Sequence, residues 1–136
     1  MNKSYDIKTG VIGVGSMGQN HARVYNEISN LIGVSDLDEE QGRKVSDKLG
    51  VKYFKDFKDL LREVDAVTIA TPTSYHRGVS EVAFDLGVHA LVEKPLAGNI
   101  EDSEAIIKAA TKAKKILAVG HIERFNEAIQ FSKRQL

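Results

Sequence analysis

Six short apolar runs, at 11–15, 31–36, 51–54, 65–72, 89–93 and 116–121, alternate with segments of helical period. That rhythm leaves few folds open. The run DAVTIATP at 65–72 is continuous and β-branched, as parallel strands buried on both faces are. Between the runs, residues 16–28 read as a helix. Asp38 reads as the N-cap of the next, with Gln41 at the capping-box position. Val45 and Leu49 form its apolar i, i+4 pair, and Gly50 supplies its stop. Residues 55–62 read as a short helix or turn. Val79, Val82, Ala83 and Leu86 share one face of a helix that Gly87 ends. Asn99 can cap another, which carries Ala105, Ile106, Ala109, Ala110 and Ala113 on one side. Residues 123–136 read as a last helix. Repeated strand–helix–strand units require right-handed crossovers. The expected fold is therefore α/β: a doubly wound parallel sheet of about six strands, covered on both faces.

Gly13-Val14-Gly15-Ser16-Met17-Gly18 closes the first strand and opens the first helix. Taken alone, G-x-G-x-x-G is weak, because eleven glycines make chance matches easy. Here it has a strand before it, a helix after it, and a second strand ending in an acid. Gly13 would permit the tight turn. Gly15 would let backbone approach a pyrophosphate, and Gly18 would let helix and strand touch. The helix start, with Ser16 and Met17 in its first turn, offers free N–H groups to the phosphates. Asp36 ends the second strand, where a carboxylate accepts from both ribose hydroxyls of an adenosine and repels a 2′-phosphate. The five residues that follow, Leu37, Asp38, Glu39, Glu40 and Gln41, include no base. NAD is thus expected over NADP, in a Rossmann-type sheet. Asp38 is the rival acid, but helix capping already explains it. A P-loop is excluded by the missing Gly-Lys-Ser/Thr.

The length suits one domain with a real core. Lys+Arg and Asp+Glu number 19 each, so no net charge recruits nucleic acid or an anionic membrane. Without cysteine there is neither a disulfide nor a thiolate metal site, and the four histidines lack metal-ligand spacing, so no metal is expected. No apolar run approaches a membrane span, and the polar stretch MNKSYDIKTG carries no signal segment. A cytoplasmic protein is the default expectation.

At 91–96 the chain reads LVEKPL. Leu91 and Val92 belong in a core, yet Glu93 and Lys94 follow at once and Pro95 stops the run. Charges after a strand are ordinarily solvated. In a doubly wound sheet, however, ligands bind beyond the carboxyl ends of the strands. That rule puts Glu93, Lys94 and Pro95 on the cofactor side. It also brings Thr71, Pro72, Thr73 and His76 there from the fourth strand, and Gly120 and His121 from the sixth. Simpler explanations exist for several of these. Pro72 can be a plain strand-ending proline, His76 a surface residue at a helix start, and His121 a buried structural histidine. Arg124 and Asn126 can be a solvated helix start. His21 reads as structural.

The segments GVIGVGSMGQNHARVY, VSDLD, TIATPTSYH, GVHALVEKPLA and VGHIERFNEAI together resemble one family over nearly the whole chain. It is that of the glucose–fructose oxidoreductase, inositol dehydrogenase and MocA-type oxidoreductases. Glu-Lys-Pro is its most specific element. VGHIERFN is most similar to the branch acting on UDP-N-acetylhexosamines, although Glu127 stands where family members usually carry proline.

The resemblance implies an NAD-dependent oxidoreductase acting on a secondary alcohol of a sugar, sugar nucleotide or cyclitol. It makes Lys94 catalytic, pointed at the nicotinamide and the substrate alcohol. A lysine desolvated beside a cationic nicotinamide has a lowered pKa. It can then orient the alcohol and help take its proton. By the same resemblance Glu93 braces the site or touches cofactor, and Pro95 is a candidate cis turn that aims Lys94. Thr71, Pro72, Thr73 and His76 line the cofactor. His121, Arg124 and Asn126 meet substrate or cofactor. Family members also carry a second α/β domain, which holds substrate, supplies a histidine partner for the lysine and builds the oligomer. The expected division is a dinucleotide-binding domain at 1–120, then at 121–136 the start of a connection to a C-terminal domain that is absent here. Such a chain should bind NAD and turn over sugar poorly or not at all. A homo-oligomer or a partner chain supplying the missing domain is expected. The alternative is a stand-alone NAD-binding module used for sensing or scaffolding. A methyltransferase is a weaker reading, since it has no counterpart of Glu-Lys-Pro.

Overall fold

The computed structural model describes residues 6–135. Residues 1–5, the first half of the polar N-terminal stretch, and Leu136, the end of the expected last helix, lie outside the described residues. Six strands form one sheet in the order β3-β2-β1-β4-β5-β6. They are β1 (Lys8–Ile12), β2 (Asn30–Ser35), β3 (Lys52–Phe54), β4 (Ala66–Ile69), β5 (His89–Val92) and β6 (Leu117–Val119). Every neighbouring pair is parallel. The order runs outward from β1 in one direction and from β4 in the other. A crevice therefore opens between β1 and β4 at the carboxyl edge, the switch point where doubly wound sheets take ligands.

The helices follow the expected alternation: α1 (Ser16–Ile28), α2 (Glu39–Leu49), α3 (Phe57–Leu61), α4 (Thr73–Asp85) and α5 (Ile100–Ala113). Side chains alternate across the pleat, so the sheet feeds two cores. Ile12, Val67, Ile69, Ala90 and Val92 meet Leu60, Leu61, Val79, Ala83, Phe84, Ile106 and Ala110 on the α3–α4–α5 side. Val11, Leu31 and Val34 meet Ala22 and Val45 on the α1–α2 side. Phe84 is 1% exposed. A phenylalanine so buried is worth about 3–5 kcal/mol over alanine.

Cover on both faces, as expected, extends only part of the way. On the α1 side, Leu91 of β5 and Ala118 of β6 line an open groove of about 530 Å³ with Ile7, Tyr25 and Ile116. Buried polar residues on that face include Thr68, whose hydroxyl lies 2.7 Å from that of Tyr25, and Thr9, whose hydroxyl lies 2.8 Å from that of Ser29. The last helix also differs from expectation. Residues Ile122–Phe125 form a 3₁₀ turn, and α6 (Glu127–Gln135) starts only after Asn126. The Asn126 side chain accepts from Ala128 N–H at 2.9 Å, so it restarts the helix as a cap. No residue of α6 is buried.

Candidate functional site

Gly13 turns the chain away from β1 at φ +82°, a conformation open to glycine. A side chain would not fit there in any case, since a Cβ would lie 2.7 Å from Thr71 N and 2.8 Å from the Ala70 carbonyl. At Gly18 a Cβ would strike the Gly13 carbonyl oxygen at 1.8 Å, so α1 and the turn touch backbone to backbone. Gly15 is the opposite case: nothing lies within 4 Å of its Cβ position. It opens to solvent beside Ser16 and Met17, which are exposed. Gly15 caps α1 without a side chain, and the first turn carries no acid. The free N–H groups there are left for an external anion.

Asp36 is tied into this turn. One carboxylate oxygen accepts from Val14 N–H at 2.7 Å, and the other accepts from Asp38 N–H at 2.9 Å. Tyr53 donates its hydroxyl to the Asp36 carbonyl at 3.0 Å. Burial, with the Glu39 charge second, pushes the Tyr53 phenol up and keeps it a donor. Asp38 caps α2 as expected, accepting from Gln41 N–H at 3.1 Å. The Gln41 side chain, however, does not complete a capping box. It donates across to the Val14 carbonyl at 2.7 Å. The glycine turn and the acid are thus one hydrogen-bonded unit, with Val14 held from both sides.

The other half of the edge is built by β4, β5 and β6. After β4, the Thr71 hydroxyl is buried without a hydrogen-bond partner. Pro72 occupies the N-cap position of α4 and Thr73 is its first residue. His76 differs from its expected place on the cofactor surface. It is 1% exposed. Its Nε2 lies 2.9 Å from the Thr71 carbonyl, and its Nδ1 lies 3.1 and 3.2 Å from the Pro95 and Leu96 carbonyls. One turn into α4 it faces β5 with a loop closed over it, so it reaches the carboxyl edge only through the backbone it contacts.

After β5, Glu93 is 7% exposed. Its Oε1 is 2.7 Å from His21 Nε2, and its Oε2 accepts from Lys94 N–H at 3.2 Å. Lys94 is exposed and the Lys94–Pro95 bond is cis. The desolvation expected at this lysine is therefore not provided by the chain's own side chains. Beyond β6, His121, Arg124 and Asn126 are all exposed. Asn126 also donates to the Glu123 carboxylate at 2.9 Å, which keeps its amide in its own turn. Sequence reading missed the parts played by His21 and Gln41, and by Gly120, where a Cβ would lie 2.9 Å from Glu93 Oε1. Each acts on a residue remote in sequence or on another strand, and no spacing rule announces that. Among the described residues no group of three His, Cys, Asp or Glu could hold a metal, and no helix is long and apolar enough to cross a membrane.

One edge thus carries an anion-accepting turn, a fixed carboxylate beside it, and an exposed lysine on a braced loop. Residues 7–121 match the model of a family described as an oxidoreductase family with an NAD-binding Rossmann fold. The chain is 45% identical over 128 residues to UDP-N-acetylglucosamine 3-dehydrogenase of Acidithiobacillus ferrooxidans, a match covering 94% of this chain and 41% of that protein. The solved structure of that enzyme superposes with a TM-score of 0.91, covering 95% of this chain and 43% of the other. Inositol 2-dehydrogenase 1 of Saccharopolyspora erythraea is 31% identical over 138 residues, 96% of this chain and 41% of that protein. A scyllo-inositol dehydrogenase from Lactobacillus casei, solved with bound NAD(H) and scyllo-inositol, is 27% identical with a TM-score of 0.86, covering 94% of this chain and 40% of the other. The chain spans about two fifths of the length of these relatives.

Proposed function

The chain belongs to the glucose–fructose oxidoreductase, inositol dehydrogenase and MocA-type oxidoreductase family, and we propose that it is the cofactor-binding part of an NAD-dependent dehydrogenase. Its substrate is a secondary alcohol of a sugar, sugar nucleotide or cyclitol. The observation that carries the reading is the shared edge: Asp36 bonded to the glycine turn at one end, Lys94 on its braced loop at the other. The names of the relatives support the substrate class, and the 45% identical one favours a sugar nucleotide within it.

The residues present fit the cofactor. Gly15 leaves open the approach a diphosphate needs, and the uncapped start of α1 provides donors for it. Asp36 keeps carboxylate lone pairs beyond its two backbone bonds and can accept from an adenosine ribose. A 2′-phosphate in the same place meets this negative charge with no base among the next five residues, which favours NAD over NADP. The Thr71 hydroxyl, buried without a partner just beyond β4, is a further polar group near this edge. When bound, NAD supplies the hydride acceptor. Lys94 then orients the substrate hydroxyl and receives its proton, and Glu93 and His76 hold the peptides on either side of the lysine.

The test is an assay of the protein carrying this chain against a panel of UDP-sugars and inositols, following NADH formation. The reading expects turnover of at least one, and a loss of roughly a hundredfold or more in kcat for Lys94→Ala. Undiminished kcat in that variant would contradict the assignment.

A further inference from the structure

His21 has no part in the chemistry just described, yet it makes the longest-range polar contact of the site. Its Nε2 lies 2.7 Å from Glu93 Oε1, across 72 residues of sequence. The two side chains are only 18% and 9% exposed, so water competes little for the bond. A carboxylate so enclosed is costly unless hydrogen-bonded. Its partners are His21 and the backbone N–H of Lys94 at 3.2 Å. An ionised carboxylate only accepts, so Nε2 carries the proton. The space for the carboxylate comes from β6: a Cβ at Gly120 would lie 2.9–3.0 Å from its three atoms.

We infer that His21 is a positioning residue for Lys94. Through Glu93 it fixes the peptide from which the lysine side chain departs, while His76 holds the Pro95 and Leu96 carbonyls beyond it. The lysine is thereby clamped between two histidines from two helices. Since His21 sits on α1, the helix that offers its start to the diphosphate also sets the lysine's place at the nicotinamide end of the carboxyl-edge crevice. The inference rests on the dinucleotide reading above.

The test compares NAD with ADP on the 136-residue chain by calorimetry. ADP carries the adenosine and diphosphate but not the nicotinamide riboside. His21→Ala should weaken NAD roughly tenfold, the scale of one charge-assisted hydrogen bond, and ADP by no more than about twofold. His21→Gln, whose amide nitrogen reaches toward the place of Nε2, should restore NAD to within about threefold of wild type. Gly120→Ala presses on the carboxylate without touching His21 and should reproduce the NAD-selective loss. It also carries the test if His21→Ala does not fold. Three outcomes overturn the inference: NAD affinity unchanged in His21→Ala (or in Gly120→Ala, where His21→Ala does not fold), equal loss of NAD and ADP, or no rescue by glutamine. Wild-type chain that binds neither ligand overturns the dinucleotide reading and this inference with it. Wild-type binding that is intact but indifferent to His21 overturns this inference alone.

Discussion

The three glycines of the turn differ in what a methyl group would meet, and the difference separates folding from binding. Gly18→Ala forces a Cβ into the Gly13 carbonyl at 1.8 Å, a backbone contact that cannot swing aside. It should cost about 1–3 kcal/mol of stability, the range for overpacking. Gly15→Ala meets nothing within 4 Å. Its unfolding curve should stay within about 0.5 kcal/mol of wild type, while NAD binding falls because the methyl occupies the diphosphate's approach. Urea unfolding and calorimetry on both variants check the pair. Equal stability loss in the two, or unimpaired NAD binding by Gly15→Ala, would contradict this division. The turn was legible in the sequence because its glycines are adjacent to one another and to the helix they open. His76 was misplaced because position after a strand says that a residue lies near the edge, not whether a loop closes over it. Lys94 follows the end of β5 at Val92, but its exposure depends on what lies above it, which no local pattern encodes.

Helix starts and stops were read well where the cap is a local bond. Asp38 and Asn99 each accept from an N–H three residues on, as their sequence context implied. Gln41 shows the limit: the same residue type at the same spacing bonds to Val14 instead, because the glycine turn comes within reach. A similar long-range bond joins α4 and α5. Arg77 donates to Asp102 at 2.8 Å and to Glu81 at 2.9 Å. The Arg77 hydrogen bond, then that of Asn99, holds the Asp102 carboxyl below its ordinary range. A carboxyl lowered on folding contributes stability above its unfolded value and loses it as pH falls through the folded one. Asp102→Asn should therefore lower the melting temperature slightly at neutral pH and by nothing at strongly acid pH. The pair is exposed, so the gap should be small and shrink with salt. A gap that persists unchanged into strong acid would contradict this account of the α4–α5 contact.

The parallel sheet, its strand count and its binding edge follow from the rhythm of apolar runs, because each run is long enough for a strand and each gap long enough for a crossover. What that rhythm does not say is which helix covers which strand. The α1-side face of β5 and β6 stays open, with Leu91 and Ala118 in the groove, although Leu91 reads as a core residue. Across the whole edge, the two halves of the sheet carry different groups: the glycine turn and Asp36 near β1 and β2, Lys94 and its braces near β4, β5 and β6. The claim that joins them is that one NAD spans both halves. Calorimetric titration of NAD and NADP into this chain tests it most directly, with Asp36→Ala and the acceptor-retaining Asp36→Asn as controls. The account predicts saturable NAD binding, NADP weaker by roughly tenfold or more, and NAD weakened by a similar factor in Asp36→Ala. NADP binding as tight as NAD, or NAD binding indifferent to Asp36, would contradict it.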